Sequence, residues 1–427
     1  MLFALVDCDN FYASVEMLFD PTLAGRPLVV LSNNLGCVIA RSREAKALGI
    51  PMGAAWFQLE PVARQAGIVA MASNYTLYGD LSDRDAEVLR QFGPIERYSI
   101  DEAFLDLSSV ANVPGADLTA YGQEIRRLIA RWLGLPVCVG IAQTKTLAEL
   151  ANRSAKKGWA GEDGVCDFTQ QAQEALDELF GSIAVDEVWG VGPRIAIRLH
   201  DLDIRTVREL RDADSELVRA RFGVPLKRTV LELRGISCLG LDQAVHERQQ
   251  IMCGRTFGHT VYDLPNLREA VRCYMARAGE KLRAQDSLAG AVHLYLRTKP
   301  SSPEDKPRMH GSMVPLPEPS ADTRVLTAWA LKLLALLYRP GYGYQKAAVM
   351  LSELRPKRYL QGSLFGPCDD ALSDALMQAV DRRNRQLGRT ALQQLSDGPV
   401  RPWHQRRGRR SPEYTTSWDD LPTVMAR

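Results

Sequence analysis

The sequence predicts an α+β chain of several domains, in which two β-α-β-β-α-β layers flank an all-helical block. Three observations lead there. Residues 78–142, taken with an opening apolar run at Leu2–Val6, alternate strand and helix patterns in that order. Residues 250–353 repeat the order without an evident sequence repeat, and residues 170–235 between them carry only helical spacing. A chain of 427 residues is also too long for one core, and length alone suggests about three domains.

The opening run Leu2–Val6 ends at Asp7 and reads as a buried strand. Phe11, Val15 and Leu18 then recur at helical spacing until Asp20-Pro21 stops the helix. Leu28–Leu31 and Cys37–Ala40 are short strands, and a helix over Glu44–Leu48 ends at Gly49. A helix over about 78–92 leads to strands at Ile95–Ile100 and Ala103–Leu107. Asp117 is a plausible N-cap for a helix with Leu118, Tyr121, Ile125, Leu128 and Trp132 on one face, and Pro136–Ala142 is a last buried strand. This makes a ferredoxin-like layer with residues 11–77 inserted after its first strand. In the second layer the helices fall near 266–284 and 322–338. A Pro-Gly-Ser-Arg-rich tail follows, and its composition favours partial disorder.

Composition excludes several classes. Hydrophobic residues at 46% and charged residues at 24% are ordinary globular values. The start has no basic n-region, and no apolar stretch is long enough for a membrane span, so neither a signal peptide nor an integral membrane protein is expected. The eight cysteines are scattered without a CxxC pair, which fits reduced thiols and a cytoplasmic location. The net charge of +2 hides an asymmetry. Residues 1–241 carry 25 basic and 32 acidic side chains, residues 242–355 carry 16 and 11, and residues 356–427 carry 12 and 8. A basic C-terminal half points to a polyanion docking there, or simply to a solvated basic surface.

Two strands end in acidic residues that a buried strand otherwise avoids: Asp7, and the pair Asp101-Glu102. In a ferredoxin-like sheet the first and third strands pair centrally, so these carboxylates can converge at one end. Unpaired, they would repel each other and raise their own pKa values. A hard divalent cation such as Mg²⁺ removes that repulsion, and two such ions can serve a phosphoryl transfer. By itself an Asp-Glu pair is more often a capped turn.

The residues around these carboxylates carry a resemblance. Asp7-Cys8-Asp9-Asn10-Phe11-Tyr12-Ala13-Ser14-Val15-Glu16 resembles the first motif of Y-family DNA polymerases, Ser99-Ile100-Asp101-Glu102-Ala103-Phe104 the second, and Gly140-Ile141-Ala142-Gln143-Thr144-Lys145-Thr146-Leu147-Ala148 the third. Leu31-Ser32-Asn33-Asn34-Leu35-Gly36-Cys37-Val38-Ile39-Ala40-Arg41 is similar to the UmuC branch, and the resemblance spans about the whole chain. It implies a right-hand polymerase: palm (1–10 and 78–168), fingers (11–77), helical thumb (169–241), ferredoxin-like little finger (242–355) and C-terminal tail (356–427). It implies error-prone, DNA-directed DNA synthesis past damaged template in an SOS-type DNA damage response and mutagenesis. Asp7, Asp101 and Glu102 would hold two Mg²⁺ ions, with the backbone carbonyl of Cys8 as a further ligand. Tyr12 would be a steric gate filling the space a ribose 2′-hydroxyl needs, and Phe11 would stack beneath the incoming sugar. Lys156 matches the family's triphosphate-contacting lysine; Arg43 and Lys46 stand where many relatives have Tyr and Arg, and both can meet phosphate.

Three further segments bear on partners. Val188-Trp189-Gly190-Val191-Gly192-Pro193-Arg194 reads as a helix-hairpin-helix turn whose helix-start amides would meet a DNA phosphate, with Gly190, Gly192 and Arg194 at the contact. In Val292–Thr298, Val292, Leu294 and Leu296 would face a core, while His293, Tyr295, Arg297 and Lys299 present a cationic face to a duplex backbone, or a plain solvent face. Gln361-Gly362-Ser363-Leu364-Phe365 resembles a sliding-clamp peptide, with Gln361, Leu364 and Phe365 as anchors. The resemblance implies primer–template DNA, deoxynucleoside triphosphates, a UmuD′-like dimer, a RecA filament and the clamp as partners. Ser411–Thr416 is also UmuC-like, without an assignable role. Two rival readings stand beside this one: an inactive DNA-binding scaffold, which has no need of Asp7, Asp101 and Glu102, and a two-metal nuclease, which has no reason for Tyr12 beside Asp7.

Overall fold

The computed structural model describes residues 1–32, 36–242, 247–300, 308–359, 370–387, 392, 403 and 408–421. They gather into two compact units, Met1–Ala244 with Arg407–Arg427, and Val245–Arg406.

The first unit runs β1 (Phe3–Cys8), α1 (Phe11–Phe19), β2 (Leu28–Leu31), β3 (Val38–Arg41), α2 (Arg43–Ala47), α3 (Trp56–Gln65), β4 (Val69–Ala72) and α4 (Tyr75–Leu89). It continues through β5 (Ile95–Arg97), β6 (Glu102–Asp106), α5 (Ser108–Ala111), α6 (Leu118–Leu133), β7 (Val137–Ala142), α7 (Lys145–Lys157) and β8 (Val165–Asp167). The main sheet has the order β5-β6-β1-β7-β8. Within the β-α-β-β-α-β run this is second-third-first-fourth, the ferredoxin-like order, with β8 added parallel to β7 at the edge. β1 is apolar through Val6 because both its faces are covered. Ala4 and Val6 pack with α1, α4 and α6, whereas Phe3 and Leu5 pack with α7 and the helical block. Side chains cap the helices: Asp117 accepts from the Ala120 amide at 2.9 Å to start α6, and Thr144 starts α7. β3-β2-β4 form a separate three-stranded sheet, with Val29, Leu31 and Val38 packed against Ala45 of α2 and Trp56 of α3.

Two expectations shift here. The strand expected over Ile95–Ile100 stops at Arg97, because the Tyr98 and Ser99 amides turn back onto the Glu102 carbonyl at 3.0 and 3.1 Å. Trp132, expected on the apolar face of α6, is 51% exposed; Ile129 takes the buried position in that last turn.

The helical block comprises α8 (Gln173–Ser182), α9 (Pro193–His200), α10 (Val207–Asp212), α11 (Ser215–Phe222) and α12 (Val224–Leu233). Glu232, fully buried, accepts the amides of Thr146 (2.9 Å), Cys238 (2.8 Å) and Leu239 (3.0 Å), so one carboxylate ties α12 to the start of α7.

The second unit runs β9 (Ile251–Val261), α13 (Leu264–Ala284), β10 (Ser287–Thr298), β11 (Met309–Ser320), α14 (Thr323–Leu337), β12 (Tyr344–Ser352), β13 (Arg355–Pro356) and α15 (Asp370–Leu387). The β-α-β-β-α-β order is as expected, but the strands lie β11-β10-β12-β9. The second and fourth strands are therefore central, not the first and third as in a ferredoxin-like layer. After α14 the chain returns on the free side of β10 and pairs antiparallel with it, leaving β9 at the edge.

Among the described residues of the tail, several are held by long-range contacts. Arg283 of α13 holds Asp381 of α15 through two bonds of 2.7 and 2.8 Å. Trp403 is 2% exposed and edge-on to Phe257 and Tyr274. Long-range partners supply the burial that local composition lacks.

Candidate active site and nucleic-acid interface

Sheet register brings the acidic residues together. Asp7 of β1 lies directly opposite Glu102 of β6, and the Cys8 amide donates to the Asp101 carbonyl at 2.9 Å. Ser99 orients Asp101, its hydroxyl donating to the carboxylate at 2.7 Å. α7 crosses over this end and sets the Lys156 ammonium on the Asp7 carboxylate, with Asp9 at 3.6 Å. Burial, first, pushes the Asp7 carboxyl up to about 7; Lys156 acts against that, and the facing Glu102 adds to it. Glu102 is likewise raised by burial, with Glu149 and Asp101 adding, against a hydrogen bond shared with Asp7. For Lys156, burial favours loss of the proton, but Asp7 and Asp9 outweigh it and hold the ammonium above its ordinary range.

Glu149 completes the acidic surround. It sits two turns before Lys156 on the same face of α7, and burial and Asp7 raise its carboxyl. The sequence reading missed Glu149 and Ser99. Helical spacing back from Lys156 would have found the first, and the Ser-x-Asp pattern the second.

Among the described residues, no three acidic, histidine or cysteine side chains close on one point; the cation on Asp7 is the Lys156 ammonium. The donor set nonetheless fits a hard divalent ion. Asp7, Asp101 and Glu102 are half-buried oxygen donors at one sheet end, and burial raises the carboxyls of Asp7 and Glu102.

Tyr12 opens α1 beside these carboxylates. Its ring stacks on Tyr78, with centroids 4.5 Å apart and planes at 16°, and meets Tyr75 edge-on at 5.8 Å. Burial pushes its phenol up to about 12, with Tyr75 and Asp101 adding. Phe11 is 3% exposed in the core, so Tyr12 is the ring of the two that is open to a ligand. Lys46 and Arg43 lie on α2, both exposed. Burial and Arg41 lower the Lys46 ammonium, whereas Asp9 and Asp7 favour its charge, which puts it within electrostatic reach of the site.

Gly190, Gly192, Pro193 and Arg194 are exposed ahead of α9, with Val191 buried between them and Pro193 at the first helical position. Gly190 has φ +86°, a conformation that glycine adopts without strain. A Cβ at Gly192 would meet nothing within 4 Å, so the approach to the start of α9 is open. Trp189 secures the turn against Tyr98 and Phe104, at 5.4 and 6.1 Å.

In the second unit β10 alternates as expected. Val292, Leu294 and Leu296 are fully buried; His293 and Tyr295 are half-buried, and Arg297 and Lys299 are exposed. Arg297 pairs across with Lys346 of β12, which pairs with Thr256 of β9, forming a cationic row that the sequence reading found only in part. With Phe257, His259, Thr260 and Gln345 these three line a cavity of about 300 Å³. The clamp-like residues Gln361, Leu364 and Phe365 lie outside the described residues. No helix among the described residues is long and apolar enough to cross a membrane.

The impB/mucB/samB family matches residues 6–153, its C-terminal domain residues 248–364, and a domain of unknown function residues 374–424. Protein UmuC of Salmonella typhimurium is 42% identical over 99% of this chain and 100% of its own length. Protein MucB of Escherichia coli is 37% identical over the whole of both chains. Among solved structures, a Y-family DNA polymerase chimera of Dbh and Dpo4 aligns with a TM-score of 0.63 at 20% identity, covering 83% of this chain and 99% of that one. Matched in sequence from end to end and alike in fold, the chain belongs to the impB/mucB/samB family, the UmuC-type Y-family DNA polymerases.

Proposed function

We propose that this polymerase transfers a nucleotide from a deoxynucleoside triphosphate to a primer 3′-hydroxyl at the sheet end formed by Asp7, Asp101 and Glu102. The enzyme is an error-prone, DNA-directed DNA polymerase of translesion synthesis in SOS mutagenesis. The observation that carries the site is the register: Asp7 opposite Glu102, Asp101 adjoining, and Lys156 above.

Asp7, Asp101, Glu102 and the Cys8 carbonyl would hold two Mg²⁺ ions. When bound, such ions lower the pKa of the attacking hydroxyl and neutralise the leaving pyrophosphate. The chain's own residues bind and orient. Lys156, with Lys46 and Arg43, meets the triphosphate, because cations at the rim of an acidic site balance phosphate charge. Tyr12 excludes a 2′-hydroxyl, supported by the two tyrosines that fix its ring, and Phe11 backs it from the core.

We assign residues 1–10 and 78–168 to the palm, 11–77 to the fingers, 169–241 to the thumb, 242–355 to the little finger and 356–427 to the tail. Gly190, Gly192 and Arg194 in the thumb, and His293, Tyr295, Arg297 and Lys299 in the little finger, contact primer–template backbone. The open approach to the start of α9 and the Arg297–Lys346 row support this. The further partners are a UmuD′-like dimer, a RecA filament and the sliding clamp through Gln361, Leu364 and Phe365, all in the cytoplasm.

Primer extension by Asp101→Ala is the test. Mg²⁺-dependent extension should vanish while binding to primer–template DNA persists. Extension at the wild-type rate would remove the metal role.

A further inference from the structure

Residues 408–421 belong to the first unit, although the chain reaches them only after building the second. They lie against β4, α1 and α4. The Ala72 amide donates to the Arg409 carbonyl at 2.9 Å, and Tyr414 stacks on Phe19 of α1 at 4.9 Å with planes at 9°. Asn74, fully buried, caps α4 with its side-chain carbonyl. Its amide group reaches the Ser411 carbonyl, the Ser411 hydroxyl and the Pro412 carbonyl, each at 3.0 Å.

From Ser411 a chain of contacts leads to the gate. The Ser411 hydroxyl donates to the Glu16 carboxylate at 3.1 Å, and the Tyr78 hydroxyl donates to the same oxygen. Glu16 is 2% exposed, and Tyr78 fully buried. Tyr12 stacks on the Tyr78 ring. A carboxylate that deep is stable only with donors, so Ser411 and Tyr78 hold it jointly, and it in turn fixes the Tyr78 ring. Burial holds the Glu16 carboxyl above its ordinary range, and the two hydroxyls act against that.

We infer that the C-terminal segment sets the position of the sugar gate, with Ser411 acting through Glu16 and Tyr78 on Tyr12. Ser411 and Glu16 are positioning residues, and the inference rests on the reading of Tyr12 as the gate. Discrimination against a 2′-hydroxyl is steric, so a Tyr78 ring released by about 1 Å relaxes it. The role gives a function to part of the segment matched only as a domain of unknown function.

The experiment measures kcat/KM for a deoxynucleotide and its ribonucleotide, with full-length protein in a primer-extension mixture that supports the wild type. Ser411→Ala should lower the deoxy-to-ribo ratio roughly tenfold, the scale of one lost hydrogen bond to a charged group. Ser411→Thr, which keeps a hydroxyl, should restore much of the ratio, and on a Tyr12→Ala background Ser411→Ala should add nothing. Tyr78→Phe removes the other hydroxyl and should shift the ratio in the same direction, even where Ser411→Ala does not fold. The inference is overturned if Tyr12→Ala collapses the ratio while Ser411→Ala and Tyr78→Phe leave it intact, or if both nucleotides lose equally. A ratio untouched by Tyr12→Ala would sink the gate assignment itself.

Discussion

Two aspartates near Cys8, Asp7 half-buried and Asp85 buried, differ in their partners. Asp7 has the Lys156 ammonium and faces Glu102. Asp85, 8% exposed on α4, has one carboxylate oxygen without a hydrogen-bond partner, and only the more distant pull of Arg97. Burial pushes its carboxyl from 3.8 up to about 7. The folded state therefore favours the protonated acid. The Asp85 contribution to stability is fully present at low pH, falls as pH rises from the unfolded value through about 7, and stays reduced above it. Asp85→Asn removes the ionisation with little change of shape. At about 1.4 kcal/mol per pKa unit it should stabilise by a few kcal/mol at pH 8 and by only about 1–2 kcal/mol at pH 5. Urea unfolding at the two pH values checks this, and an equal gain at both would show that Asp85 does not titrate as described. Glu149 makes the complementary point: its spacing from Lys156 was readable, but its approach to Asp7 depends on how α7 lies across the sheet.

At the scale of elements, α7 is the part that must be placed closely. It carries Glu149 and Lys156, and it approaches β7 at Gly140, where a Cβ would lie 2.0 Å from the Asn152 nitrogen and 2.3 Å from the Ala148 carbonyl oxygen. Both are backbone atoms, so the helix itself would have to move. Asn152 uses the closeness: its amide group donates to the Leu5 and Cys138 carbonyls at 3.2 and 2.7 Å. Gly140→Ala should therefore cost roughly 1–3 kcal/mol or more of stability. It should also weaken nucleotide use by lifting Lys156 from Asp7. Thermal unfolding together with KM for the deoxynucleotide tests this; a variant with wild-type values of both would mean that α7 tolerates the shift. Most helices and strands of this layer were legible because their signals are local: Asp117 caps where it stands, and β1 declares both covered faces in its unbroken apolar run. The end of β5 was not, since the Tyr98–Ile100 turn is dictated by bonds to Glu102.

The whole molecule divides its charge, net acidic through residue 241 and net basic beyond it. That division suits an acidic site that takes cations and later segments that hold a polyanion. The proposed clamp peptide follows the second layer, and deleting Gln361–Phe365 should abolish stimulation by the sliding clamp and leave clamp-independent extension near the wild-type rate. Primer extension with and without clamp measures both, and an equal loss in each would mean that the segment serves folding instead. By itself the sequence determined the two layers, the helical block, the acidic strand ends and the family, because hydrophobic period, capping and motif spacing are properties of neighbouring residues. Only the tertiary structure decided the strand order of the second layer, the crossing of α7 that brings Glu149 to the site, and the return of the tail to α4. Asn74 and Ser411 are 337 positions apart, and the bonds between them depend on every fold in between.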